Sequence, residues 1–157
     1  MVKEMEHAGG CLCGATRYLV IGEPEVTGAC HCRYCQLRSG AAFGVLVYFK
    51  ENNFSLTSGS LNVYEFSSDS GNAWKNQFCA TCGTTISCEL EVFPGQVGIM
   101  GGTFDPPSFW FDLQNEVFVR SKAHFIGEIV APNKDDTFFS YEPKTTEDSR
   151  LSSFASD

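Results

Sequence analysis

Apolar and aromatic residues come in short runs along the whole chain. Thr16 to Ile21, Phe43 to Phe49, Asn62 to Phe66, Gly83 to Leu90, Gln96 to Met100 and Val117 to Arg120 are each β-branched or aromatic and bounded by turn-forming residues. That is the pattern of short strands. The stretch ENNFSLTSGS at 51–60 reads as a further strand flanked by turns, and SSDSGN at 67–72 as a hairpin tip. No window of fifteen residues keeps a helical period free of Gly or Pro. Cys32 to Ser39 and Ser108 to Leu113 are the short helix candidates. The expected fold is therefore mostly β, antiparallel sheets with few short helices. Residues 1–143 read as a single β domain. From 144 to 157 the chain is poor in apolar residues and rich in Ser, Thr and charge, which predicts a disordered tail.

Composition narrows the function classes. A chain of 157 residues is long enough to bury a core without a covalent staple. Its formal net charge of −8 opposes long-range attraction to phosphate backbones, and no basic patch is visible, so a nucleic-acid partner is not expected. The longest apolar run, Ala41 to Phe49, is broken by Gly44 and falls far short of the roughly 20 residues of a spanning helix. No stretch near residue 1 combines a basic start, an apolar run and a small-residue cleavage site. We therefore expect a cytoplasmic protein with reduced thiols and no membrane partner. Oligomeric state is not legible.

The eight cysteines cluster as Cys11 and Cys13, then Cys30, Cys32 and Cys35, then Cys79 and Cys82, with Cys88 apart. In an extended C-x-C segment both thiols project to one side, so Cys11 and Cys13 can share a metal ion. The C-x-x-C pair in CATCGT is a turn that gathers two sulfurs about one Zn²⁺. Together the pairs supply four thiolates, the ligand set of a closed structural zinc. Two disulfides, or four thiols buried as small apolar groups, are the other readings.

The triplet differs, because three protein ligands leave a coordination position open, as in catalytic zinc sites. An ion there can lower the pKa of a thiol or polarise a carbonyl oxygen, both of which suit addition of a thiol to an aldehyde. Two other readings stand beside this one: a closed site completed by His31, Cys88 or a distant His, and a redox dithiol. In an extended segment His31 would point away from its cysteine neighbours. Cys88 reads as a buried apolar thiol.

The motifs GGCLCGATRY, CHCRYCQLRSG, FCATCGT, GGTFD and VFVRSKA, in this order between Gly9 and Ala123, resemble the glutathione-dependent formaldehyde-activating enzyme and centromere protein V family. The resemblance implies a β-tent fold of antiparallel sheets around a structural zinc on Cys11, Cys13, Cys79 and Cys82. It also implies a second, catalytic zinc on Cys30, Cys32 and Cys35. The implied activity is that of a carbon–sulfur lyase forming S-(hydroxymethyl)glutathione from glutathione and formaldehyde. The chain departs from the family's usual pattern at Leu12, Pro106 and the AHF at 123–125, none of them a cysteine.

Further residues are candidates for substrate contact. The resemblance places Gly40 in a loop beside the second metal, where close backbone approach would exclude a side chain; an ordinary turn is the alternative. Arg38, Arg120 and Lys122 could hold the carboxylates of glutathione, or be solvated surface charges. His124 is left out of the site. The aromatic cluster of Phe104, Phe109, Trp110 and Phe111 reads as packing before it reads as a binding wall. Two rival functions share these residues: a non-catalytic carrier of glutathione or another small thiol, and a lyase specialised for a different small metabolite. An interaction platform in the manner of centromere protein V fits less well with a short acidic tail.

Overall fold

The structure, a computed structural model, describes residues 4–144. The tail expected at 144–157 lies, from 145 onward, outside the described residues. Among the described residues, eleven strands, one α-helix and three short 3-10 segments make up the regular structure, and the chain is mostly β as expected. Three strands, β1 (Glu6–Gly10), β2 (Arg17–Ile21) and β5 (Phe54–Ser58), form an antiparallel sheet in the order β1-β2-β5. The larger sheet has eight: β3 (Val26–Cys30), β4 (Gly44–Lys50), β6 (Leu61–Ser67), β7 (Ala73–Cys79), β8 (Thr85–Leu90), β9 (Gln96–Met100), β10 (Asn115–Val117) and β11 (Asn133–Asp135). Its order is β11-β10-β3-β4-β9-β8-β7-β6. Pairing is antiparallel except where β10 runs parallel to both β3 and β11.

The central strand β4 explains how one chain supports two apolar cores. Side chains alternate across a strand, so Val47 and Phe49 join Tyr18 and Val20 in one cluster, while Leu46 and Tyr48 join the second. All four are buried, which is why this strand reads as a continuous apolar run rather than an alternating one. The first cluster contains Cys11 and Cys79; the second contains Cys30, Cys32, Cys35 and Cys88. Each core therefore ends on one group of cysteines.

The SSDSGN stretch is the β6–β7 turn, closed by Gly71 N–H donating to the Ser68 carbonyl at 2.8 Å and Ser68 N–H to the Asn72 carbonyl at 2.9 Å. Helix α1 spans Arg33–Ser39, inside the first helix candidate. Two expectations need correction. The stretch 108–113 holds no helix: it follows Pro106 and Pro107, and its rings diverge, Trp110 stacking on His7 at 3.5 Å while Phe109 stays 64% exposed. The strand expected at Val117 to Arg120 stops at Val117, because Phe118 takes φ 55° and turns the backbone into a short 3-10 segment.

Candidate metal centres

The first cluster is assembled by two turns. Cys11 and Cys13 flank the turn after β1, and Cys79 and Cys82 flank the turn after β7. The four Sγ atoms lie within 4.8 Å of one another, with Cys11 to Cys13 at 3.5 Å and Cys13 to Cys79 at 3.9 Å. Zinc–sulfur bonds of about 2.3 Å in a tetrahedron put sulfurs about 3.8 Å apart, so the set fits a zinc ion. Backbone N–H groups already point at the sulfurs: Thr16 to Cys11 at 3.2 Å, Thr81 to Cys79 at 3.4 Å and Cys82 to Cys79 at 3.5 Å. Hydrogen bonds to an ionised sulfur favour its charge. The Thr16 side chain and these N–H groups hold the Cys79 thiol down at about 5, and the Thr84 hydroxyl and backbone hold Cys82 at about 7.

The triplet is built differently. Cys30 ends β3, and Cys32 caps α1, its sulfur accepting from Cys35 N–H at 3.4 Å. Cys35 faces back from the first turn of the helix. The three Sγ atoms lie within 4.8 Å of one another, again a donor set that fits zinc, with one ligand fewer. Hydrogen bonds from Cys30 and Cys32, together with Arg38, hold the Cys35 thiol well below its ordinary range against the effect of burial, while the sulfurs of Cys32 and Cys35 and burial push Cys30 up. The Arg38 guanidinium beside Cys35 favours the ionised form of that sulfur.

Arg38 Nη2 donates to Cys35 Sγ at 3.3 Å, and its guanidinium carbon sits 5.4 Å from the centre of the Trp74 ring. Its Nε and Nη1 are buried with no hydrogen-bond partner among the described residues. Gly44 makes room for this pair: a Cβ there would lie 3.2 Å from Arg38 Nη2 and from Cys35 Cβ. Gly40 closes α1 with φ 68°, and nothing lies within 4 Å of where its Cβ would be. The backbone conformation, not close approach, is what asks for glycine there. Cys88 is fully buried with its sulfur 3.9 Å from the Tyr48 hydroxyl, and it is not one of the mutually adjacent sulfurs of the triplet.

His31 is turned away from the sulfurs. Its Nε2 lies 2.9 Å from Glu116 Oε1, and both residues are fully buried. A carboxylate can only accept, so Nε2 carries the hydrogen. Glu116 also meets Lys122 Nζ at 2.8 Å and Lys134 Nζ at 3.3 Å. Burial raises the Glu116 pKa, and the three partners outweigh it, leaving the carboxylate below its ordinary range. Nothing in the sequence marked Glu116, which lies 85 residues from His31; the pairing of β10 beside β3 creates the contact. Lys122 is thereby tied to Glu116, and Arg120 lies 4.9 Å over the ring of Tyr141.

Cys30, Cys32 and Cys35 form part of the wall of a cavity of about 340 Å³. Tyr34, Leu46, Trp74, Phe93, Phe138 and Tyr141 supply much of the rest. None of Arg38, Gly40, Arg120, Lys122 and His124 lines it. In the four-cysteine cluster Cys13 and Cys82 are exposed at the surface, whereas the triplet faces the cavity, so the two groups of cysteines differ in setting as well as in ligand number.

Comparison with curated proteins finds no match. A solved structure of a Rhodobacter sphaeroides protein is similar over 66% of this chain and 95% of its own, with 21% sequence identity and a TM-score of 0.49. The family model for the glutathione-dependent formaldehyde-activating enzyme matches residues 6–121, a span holding both cysteine clusters, and the chain belongs to that family.

Proposed function

We propose that this protein is a zinc-dependent carbon–sulfur lyase that makes or breaks the bond between a thiol and an aldehyde, in the manner of S-(hydroxymethyl)glutathione formation. The observation that carries the reading is the placement of three adjacent sulfurs, one short of a closed set, in the wall of the 340 Å³ cavity. Cys11, Cys13, Cys79 and Cys82 would hold a structural zinc, and Cys30, Cys32 and Cys35 a catalytic one. A zinc ion bound by three thiolates keeps one position open and supplies Lewis acidity toward sulfur or oxygen.

The remaining roles belong to the chain. In the forward direction the thiol S–H adds across the C=O bond: the C–S bond forms, the carbonyl π bond breaks and the sulfur's proton ends on the oxygen as a hydroxyl. Apolar walls exclude water from the reacting groups and strengthen electrostatic effects on them. Arg38 offsets the negative charge of the sulfur cluster through Cys35. His31, anchored on Glu116, fixes the segment between Cys30 and Cys32.

Native mass spectrometry of protein purified under reducing conditions with zinc should count two metal ions per chain. NMR exchange between glutathione, formaldehyde and their adduct should exceed the spontaneous rate, and Cys32→Ser should remove that excess while retaining the other zinc and the fold. One zinc per chain and no rate above the spontaneous one would replace this reading with that of a thiol carrier.

A further inference from the structure

The cavity is far larger than formaldehyde needs, and its lining is chiefly apolar. Formaldehyde has two heavy atoms, whereas about 340 Å³ is within the range of sites that enclose whole drug-sized ligands. Its walls are rings packed on one another: Tyr34 lies 5.7 Å from Trp74, Phe93 lies 5.7 Å from Phe138, and Phe118 lies 5.2 Å from Tyr141. Leu46, Leu90 and Val117 fill in between.

Charge points the same way. Glutathione brings two carboxylates and an ammonium group, and a buried charge needs a partner. Among the described residues no Lys or Arg lines the cavity; its charged members are Asp69 and Asp135, which repel carboxylates. Of the nearby cations, Lys122 pairs with Glu116, Arg120 lies over the face of Tyr141, and Arg38 donates through Nη2 to Cys35 while its Nε and Nη1 stay buried without hydrogen-bond partners among the described residues; none of the three lines the cavity.

We propose that the cavity beside Cys30, Cys32 and Cys35 selects a thiol–aldehyde adduct carrying an aryl-sized apolar group, in preference to the glutathione adduct. The inference rests on the triplet being the reaction site. The reaction is unchanged: benzyl mercaptan and formaldehyde join by C–S bond formation with the sulfur's proton passing to oxygen, and no redox partner is needed. The ring occupies the aromatic cavity while sulfur and carbon lie at the cysteines.

The test uses the zinc-loaded full chain. Exchange rates for the benzyl mercaptan–formaldehyde adduct should exceed those for the glutathione adduct by about tenfold or more in kcat/KM, the scale expected for burying one aryl group. Benzyl alcohol, which has no thiol, should bind by calorimetry and compete with the benzyl adduct. Leu90→Trp, which fills the cavity, should weaken benzyl alcohol binding at least about tenfold with two zincs retained. Phe139→Ser, at an exposed rim position, should weaken it in a variant that keeps the core intact.

Equal or faster exchange of the glutathione adduct, or benzyl alcohol binding untouched by either substitution, overturns the proposal. So does binding that appears only after deletion of residues 145–157, which would give the cavity to the chain's own terminus. If neither adduct exchanges above the spontaneous rate, the lyase reading fails, and benzyl alcohol binding still decides what class of ligand the cavity takes.

Discussion

Replacing Glu116 with Gln should lower the melting temperature by roughly 5–15 °C, and the figure follows from the surroundings of one carboxylate. Glu116 is fully buried and faces His31 at 2.9 Å, Lys122 at 2.8 Å and Lys134 at 3.3 Å. Glutamine keeps the shape and one acceptor but leaves Lys122 without its carboxylate partner and Lys134 with only the exposed Glu128 at 3.8 Å. Breaking a buried ion pair from one side costs about 3–5 kcal/mol. Solvent reaches Lys122 and Lys134, whose side chains are 17% and 39% exposed, and reduces that to about 2–4 kcal/mol. At this chain length each kcal/mol is worth about 2–4 °C. The assay is calorimetric melting of the wild type and of Glu116→Gln, with Lys122→Met and the double variant completing a cycle. A melting temperature within about 2 °C of the wild type would show that the carboxylate does not hold its three partners together.

The sign of the pH dependence follows from the same group. Its folded pKa is lowered, so its contribution is fully present above the unfolded value near 4.5 and is lost as pH falls through the folded value. The wild type should therefore lose more stability than Glu116→Gln below pH 4.5, and parallel curves would contradict this.

Three further outcomes are expected. Cys79→Ser should remove one zinc by native mass spectrometry and cost roughly 5 kcal/mol or more in denaturant unfolding, since a structural zinc is folding energy; retention of both metals would refute the four-cysteine assignment. Arg38→Gln should weaken the second zinc about tenfold in competition with a chelating dye while sparing the first, because it withdraws the positive charge at Cys35; unchanged affinity would remove Arg38 from the site. Gly40→Ala should cost about 1 kcal/mol in urea unfolding, from the strain of φ 68° in otherwise open space, and a neutral result would mean that the turn relaxes.

What could be read from the sequence and what could not divides along contact distance in the chain. C-x-C and C-x-x-C spacings are local, so both groups of sulfurs were legible without knowing the fold, and the two clusters consist of the seven residues those spacings picked out. Strands 17–21, 44–50 and 96–100 were legible because β-branched runs between turn residues are also local. Val117 to Arg120 carried the same local signal and failed, because the left-handed turn at Phe118 is a backbone event that its apolar side chain gives no reason to expect. β1 was missed for the opposite reason: EHAGG has little strand propensity, and it forms because each residue pairs with β2 across the turn at the first cysteines.

The charges around the second cluster were the least legible, and they govern its chemistry. Arg38, Lys122 and Glu116 are all residues whose ordinary place is the surface. Their burial comes from two long-range placements: β10 lies parallel to β3, which sets Glu116 beside Ala29 and within reach of His31, and Trp74 of β7 covers Arg38. With those contacts in place, Arg38 lies on Cys35 and Lys122 on Glu116, and neither lines the cavity wall. A zinc ion with three thiolates carries a net charge of −1, and Arg38 offsets it at 3.3 Å from Cys35. That balance, beside walls of aromatic rings whose charged members are Asp69 and Asp135, favours an apolar adduct over an anionic one. A doubly carboxylated thiol would have to leave its charged ends outside, and that difference is what the competition between benzyl and glutathione adducts measures.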